Sequence, residues 1–229
     1  MNDKFVMTGK NLSELENFIT SLGMTKFRAK QIYNRIYLKS VKNIDDMTDL
    51  TVDMRNMLKE KAVLSDIFIK DKQISSDGTM KFLFQLKDGR FAESVLMRFD
   101  NRANLTACIS TQVGCPMGCD FCATAKLGFI RNLTTAEIIS QIYLIQADTG
   151  LKVTNIVYMG QGEPLLNFDN LISSIKIFRE QFQIGARRIT VSTCGIIPAI
   201  KKLAQMDFQS TLAISLHAPN QKVRETIMP

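Results

Sequence analysis

The chain has a single histidine, His217, only five cysteines, and no apolar run approaching the length of a membrane span. With so little histidine, a zinc site closed by four Cys or His ligands cannot be assembled from neighbouring residues. It would need the fold to bring Cys108, Cys194 or His217 to the other cysteines. An odd number of cysteines argues against a disulfide framework. The opening residues, Met1-Asn-Asp-Lys-Phe-Val-Met7, lack the charged and long apolar regions of a signal peptide. The expected address is cytoplasmic, with reduced thiols and no membrane partner.

What is present is ordinary in bulk. Hydrophobic residues make up 45% and charged residues 22% of the 229, enough for a substantial core and against extensive disorder. The formal charge of +7 and pI near 9.2 favour a polyanionic partner, because clustered Lys and Arg release counterions from phosphates. Many basic proteins bind no nucleic acid, so charge alone does not settle the partner.

The most informative segment is Cys115-Pro-Met-Gly-Cys119-Asp-Phe-Cys122, a C-x3-C-x2-C triad. Three thiolates on one short loop can hold three irons of a [4Fe–4S] cluster and leave the fourth iron open to a small molecule. Zinc is the rival occupant, with no fourth ligand nearby.

Along the chain, residues 1–62 read as a small module of short helices. Within it Lys26, Arg28, Lys30, Arg35, Lys39 and Lys42 alternate with Phe27, Tyr33 and Tyr37. One reading is a surface for RNA; the other is an amphipathic helix packing Ile32 and Ile36 with solvated charges. Residues 63–100 are expected to form a β-hairpin extension, Met80 to Leu86 and Phe91 to Phe99 about the turn Lys87-Asp-Gly-Arg90. From 101 to 229 β and α patterns alternate. Strands are expected at Thr106–Thr111, Val153–Met159, Arg188–Thr193 and Thr211–His217. The first helix is announced by the capping box Thr134-x-x-Glu137 and stopped by Gly150. Leu171, Ile175 and Phe178 mark the second helix, Pro198 opens the third, and the fourth begins near Asn220. Such units form a parallel sheet, open or curled into a barrel, with function at the carboxyl ends of the strands. The cysteine loop, Gly160-Gln-Gly-Glu-Pro164, Ser192 and Ser215-Leu-His217 then share one rim.

This arrangement resembles the radical S-adenosylmethionine (SAM) superfamily. Cys108-Ile-Ser-Thr-Gln-Val-Gly-Cys115, the triad, Gly128-Phe-Ile-Arg131, Tyr158 to Asn167 and Ile214-Ser-Leu-His-Ala-Pro-Asn220 are similar to its RNA adenine C2-methyltransferase family, which acts on 23S rRNA and tRNA. The resemblance implies an α/β fold: an incomplete partial (β/α)6 barrel with an N-terminal helical accessory domain and a β-hairpin extension. It implies that Cys115, Cys119 and Cys122 bind a [4Fe–4S] cluster, and that Gly162, Glu163, Ser192, Ser215, Leu216 and His217 contact SAM. Cys108 and Glu93 match the family's resolving cysteine and proton acceptor. The implied partners are 23S rRNA, tRNA and an electron donor such as flavodoxin or ferredoxin, with the enzyme a monomer.

Each position has a plainer reading as well. Gly160 to Pro164 alone is an ordinary βα turn, Cys108 a small core residue, Glu93 an exposed hairpin glutamate, and the serines helix caps. His217 is expected to be packed and hydrogen-bonded, and Cys194 to be buried without a role. Gln161 stands where the family commonly has Met. In the family a cysteine near the C-terminus accepts the methyl group; none of the five here matches it, so this chain is expected to be C-terminally truncated and incapable of full turnover. Alternatives are the related C8-adenine methyltransferase, radical chemistry on a protein or metabolite, and a non-catalytic, zinc-stabilised RNA-binding module.

Overall fold

A computed structural model of the protein describes residues 4–99 and 102–228. The N-terminal part packs α1 (Leu12–Ser21), α2 (Lys26–Tyr37) and α3 (Val52–Lys61), framed by β1 (Phe5–Val6) and β2 (Ala62–Val63), which pair in parallel. α1 begins where it does because Asn11 and Glu14 form a capping box: the Asn11 side chain accepts from the Glu14 N–H and the Glu14 carboxylate from the Asn11 N–H. α2 buries Ala29, Ile32, Ile36 and Tyr37. Its arginines are committed: Arg28 donates to the Asp49 carbonyl at 2.9 Å and Arg35 to the Asp49 carboxylate at 3.1 Å. Lys26 and Lys30 on the helix, and Lys39 and Lys42 just after it, remain exposed, so one segment carries both the packed face and the solvated charge.

The remaining strands and helices are β3 (Phe68–Ile74), β4 (Met80–Gln85), β5 (Phe91–Phe99), β6 (Arg102–Cys108), β7 (Gln112–Gly114), β8 (Phe129–Asn132), α4 (Thr135–Thr149), β9 (Asn155–Tyr158), α5 (Phe168–Glu180), β10 (Ile189–Thr193), α6 (Ile197–Ala204), β11 (Thr211–Ile214) and α7 (Gln221–Ile227). Seven strands form one mixed sheet in the order β11-β10-β9-β6-β5-β4-β3. β6, β9, β10 and β11 are parallel neighbours; β3 to β6 are an antiparallel meander. The strands of the expected hairpin extension therefore run on into the same sheet as the βα units.

Several boundaries differ from the sequence reading. The first parallel strand ends at Cys108, not Thr111, because Ser110 leaves the ladder and donates its hydroxyl to the Glu93 carbonyl at 2.6 Å. β3 has no counterpart in the sequence pattern: its residues, Phe-Ile-Lys-Asp-Lys-Gln-Ile, carry a polar centre and are mostly exposed, as suits a charged sheet edge. Nor has the short antiparallel pair β7–β8, which brackets the cysteine loop.

One sheet face is covered by helices. Ile138, Ile142 and Ile145 of α4 and Leu171, Ile175 and Phe178 of α5 are buried there. Polar ties fix the docking. Gln141 of α4 accepts from the Ser94 hydroxyl and the Ser110 N–H, and Tyr158 of β9 hydrogen-bonds Ser174 of α5 at 2.7 Å. No helix among the described residues is long and apolar enough to cross a membrane.

Candidate active site

The sheet's other face carries the chemistry. Val95 on β5 pairs with Cys108 on β6, Cys108 with Val157 on β9, and Val157 with Thr190 on β10. Because side chains alternate along a strand, Glu93, Cys108 and Ser192 share this face, opposite Ser94 and Tyr158. The Ser192 hydroxyl reaches that of Ser215 at 3.3 Å. Three sequence-predicted side chains are thus aligned by register and the fourth by hydrogen bond. Cys108 is half-buried rather than sealed in the core, and burial pushes its thiol pKa up. Glu93 is ion-paired with Lys81 at 2.7 Å.

The cysteine loop leaves β7 through Gly114, whose φ is +74° and where an added Cβ would lie 1.7 Å from the Gly128 carbonyl oxygen. That approach belongs to a close crossing at which the Cys115 N–H donates to Gly128 at 3.1 Å. All three cysteines are half-buried. Burial raises the Cys115 and Cys119 thiols, and the proximity of both to Cys122 and Glu163, and of Cys115 to Cys119, raises them further. Metal loading would therefore have to displace their protons.

Among the described residues, no three Cys, His, Asp or Glu side chains are gathered closely enough to hold a single metal ion. A cubane places each thiolate on a different iron, so its ligands stand further apart than those around one tetrahedral zinc. Three soft sulfur donors on one short loop suit such a cluster by their chemistry.

The segment after β9 lies against the start of this loop. An added Cβ on Gly160 would meet the Ile109 backbone at 2.7 Å, and one on Gly162, where φ is +101°, would meet Gln112 at 2.5 Å. Both positions need glycine. Glu163 is 4% exposed and fully engaged by backbone: its carboxylate accepts from the Leu165 N–H at 2.9 Å and the Cys194 N–H at 2.8 Å. The Gln112 side chain accepts from the Glu163 N–H and donates to Asn132, each at 2.8 Å. This buried polar chain joins the cysteine-loop hairpin to the turns after β9 and β10.

Two expectations need correction. Cys194 is half-buried, not buried: it lines a cavity of about 130 Å³ with Met117, Cys119, Gly195, Ile196, Arg224 and Met228. Its thiol is pushed up to about 12 by burial and then by Glu163. His217 is exposed, not packed; its ring lies 4.7 Å from that of Phe121 in the cysteine loop, and its backbone is left-handed at φ 55°. Sequence reasoning also missed Gln112 and Arg224. Nothing in the local sequence sets Gln112 apart from the neighbouring Ser110 and Thr111, and nothing marks Arg224.

A thiol-bearing loop after the first parallel strand and a glycine-acid turn after the second, on a half-open sheet, define a core built to hold a cluster and a small ligand at one rim. Residues 109–229 match the family described as the Radical SAM superfamily, and residues 7–64 the Ribosomal RNA large subunit methyltransferase N-terminal domain. The chain is 46% identical over 230 residues to a probable dual-specificity RNA methyltransferase RlmN of Alkaliphilus oremlandii, covering 99% of the chain and 66% of the relative. It is 48% identical to one from Thermotoga neapolitana, covering 94% and 63%. The crystal structure of a radical SAM methyltransferase from Sphaerobacter thermophilus superposes with a TM-score of 0.91 at 38% identity, covering 98% of this chain and 67% of that one. The chain belongs to the radical SAM superfamily. It spans just under two thirds of the length of these curated relatives.

Proposed function

We propose that the protein methylates C2 of adenine in 23S rRNA and tRNA by radical chemistry, in the cytoplasm and as a monomer, drawing electrons from a small flavin or iron–sulfur protein such as flavodoxin or ferredoxin. The observation that carries this reading is the alignment of Glu93, Cys108, Ser192 and Ser215 along one half-open sheet face beside the cysteine loop. An electron-poor aromatic carbon such as adenine C2 does not accept an electrophilic methyl group directly, which gives a radical route its purpose.

Cys115, Cys119 and Cys122 would hold a [4Fe–4S] cluster, with Gly162, Glu163, Ser192, Ser215, Leu216 and His217 around SAM. When bound, the cluster supplies the electron that splits SAM into methionine and a 5′-deoxyadenosyl radical. The chain's own residues do the rest. Gly160 and Gly162 let the turn that carries Glu163 lie close against Ile109 and Gln112. Glu163, held by the Leu165 and Cys194 N–H groups, fixes the turn against which SAM would lie. Cys108 keeps its proton until it is needed, because burial disfavours the thiolate. Glu93 on the adjacent strand is the acceptor for a proton leaving the substrate, its charge offset by Lys81. RNA is drawn to the exposed lysines on and just after α2.

The test is anaerobic reconstitution with iron and sulfide, metal analysis, and a dithionite-dependent assay for 5′-deoxyadenosine. About four irons per chain, lost in Cys119→Ala, together with SAM cleavage support the reading. Stoichiometric zinc without a cluster overturns it in favour of a non-catalytic RNA-binding module.

A further inference from the structure

α7 lays one cation across the rim. Arg224, half-buried, donates through Nη2 to the carbonyl of Cys194, just after β10, and at 3.4 Å to the carbonyl of Ser215, just after β11. Its guanidinium lines the cavity of about 130 Å³ that also contains Met117 and Cys119 of the cysteine loop. The helix is seated on that loop, since the Asp120 N–H donates to the Ile227 carbonyl at 3.0 Å. Among the described residues Arg224 forms no ion pair, so both of its hydrogen-bond partners are neutral carbonyls. A full positive charge is thus held at the cysteine loop by groups that do not cancel it.

We propose that Arg224 is a positioning residue for electron transfer: a fixed cation beside the cysteine loop that raises the reduction potential of the cluster held there. The inference rests on the proposed cluster at Cys115, Cys119 and Cys122. On accepting one electron from a flavin or iron–sulfur protein, a cubane ligated by thiolates gains one unit of negative charge and loses none to the protein. A neighbouring cation stabilises that reduced state more than the oxidised one, and net charge and hydrogen bonding around the sulfurs set such potentials. Arginine suits the role because a guanidinium keeps its charge, so the field is independent of pH.

The experiment is a redox titration of the reconstituted full chain, monitored by the electron paramagnetic resonance of the reduced cluster, for the parent, Arg224→Gln and Arg224→Lys. The expected result is a more negative midpoint in Arg224→Gln and a midpoint near the parent's in Arg224→Lys, at equal iron content. A midpoint unchanged in Arg224→Gln overturns the proposal. So does an equal shift in Arg224→Lys, which would assign the effect to the hydrogen-bonded fork and not to charge. Should Arg224→Gln take up too little iron to titrate, Ile196→Glu puts an opposing charge on the same cavity wall; it is expected to lower the midpoint, and no shift there overturns the proposal. A parent protein that shows no cluster signal at all refutes the functional reading itself, an outcome distinct from a loaded cluster whose potential ignores residue 224.

Discussion

The Glu163 carboxylate accepts a hydrogen bond from the Cys194 backbone N–H at 2.8 Å, tying the turn after β9 to the turn after β10. Its other oxygen accepts from Leu165, so one buried side chain satisfies two backbone donors. Glu163→Gln retains one acceptor and places an amide donor opposite the other N–H. Leaving one buried donor unsatisfied costs roughly 1–3 kcal/mol. Urea unfolding should show that loss, and a variant as stable as the parent would refute the tie.

Glycine is required at 162 and dispensable at 185. Gly162→Ala places a methyl 2.5 Å from Gln112 in a left-handed backbone, whereas an added Cβ at Gly185 meets nothing within 4 Å. The first substitution is expected to lower the thermal midpoint and weaken SAM binding, measured by equilibrium dialysis. Gly185→Ala should match the parent in both, within about 0.5 kcal/mol in stability.

Gln141 is the polar hub between α4 and the end of β6. It accepts from the Ser94 hydroxyl at 2.6 Å and the Ser110 N–H at 2.9 Å, and donates to the Ser110 carbonyl at 3.0 Å. Gln141→Leu orphans all three groups in a fully buried site, at about 1–3 kcal/mol each before relaxation. It should be among the most destabilising single changes in the chain. A chemical-denaturation loss below about 1 kcal/mol would contradict the hub.

Arg131 makes a bidentate pair with Glu137 and donates through Nε to Asp88 at 2.7 Å. That hydrogen bond, with one from the Arg90 N–H, holds the Asp88 carboxyl below the usual range. The folded-state carboxyl titrates below its unfolded value of about 3.9. Its contribution is therefore complete above that pH and is lost as pH falls through the depressed folded value. Asp88→Asn should lower the thermal midpoint at pH 7, and the gap from the parent should close on acidification. A gap that persists at the acid end would refute the ion pair as its source.

The exposed lysines on and just after α2 invite a salt test. Replacing Lys30 and Lys39 with Gln should weaken RNA binding and flatten the dependence of log affinity on log salt, by at most about 0.9 for each phosphate no longer neutralised. The same change at Lys201 and Lys202, on α6, should leave the slope alone. Equal effects at both pairs would mean that net charge, and not the α2 segment, attracts the RNA.

Local signals were legible in the sequence and long-range ones were not. Thr134, Glu137 and Gly150 announced α4 because a cap involves residues three or four apart, and the structure forms that box with Gly150 left-handed at φ 71°. The rim order of the cysteine loop, Glu163, Ser192 and Ser215 followed from alternating β and α patterns. By contrast β3 carries a surface composition and pairs only because β4 lies beside it. The approach of Arg224 to Cys194 joins residues that are remote in sequence, and nothing in the local pattern of either announces it.

On β5, β6 and β10 the working and packing faces alternate residue by residue: Glu93 beside Ser94, Cys108 beside Ala107, Ser192 beside Thr193. Deleting one residue from such a strand would exchange the two sets, turning a carboxylate toward α4 and a buried serine toward the cleft. Descendants of this chain are thus free to drift in the composition of these strands but not in their length. Insertions and deletions should be confined to connections such as Lys87–Arg90, where an added residue changes no side chain's direction.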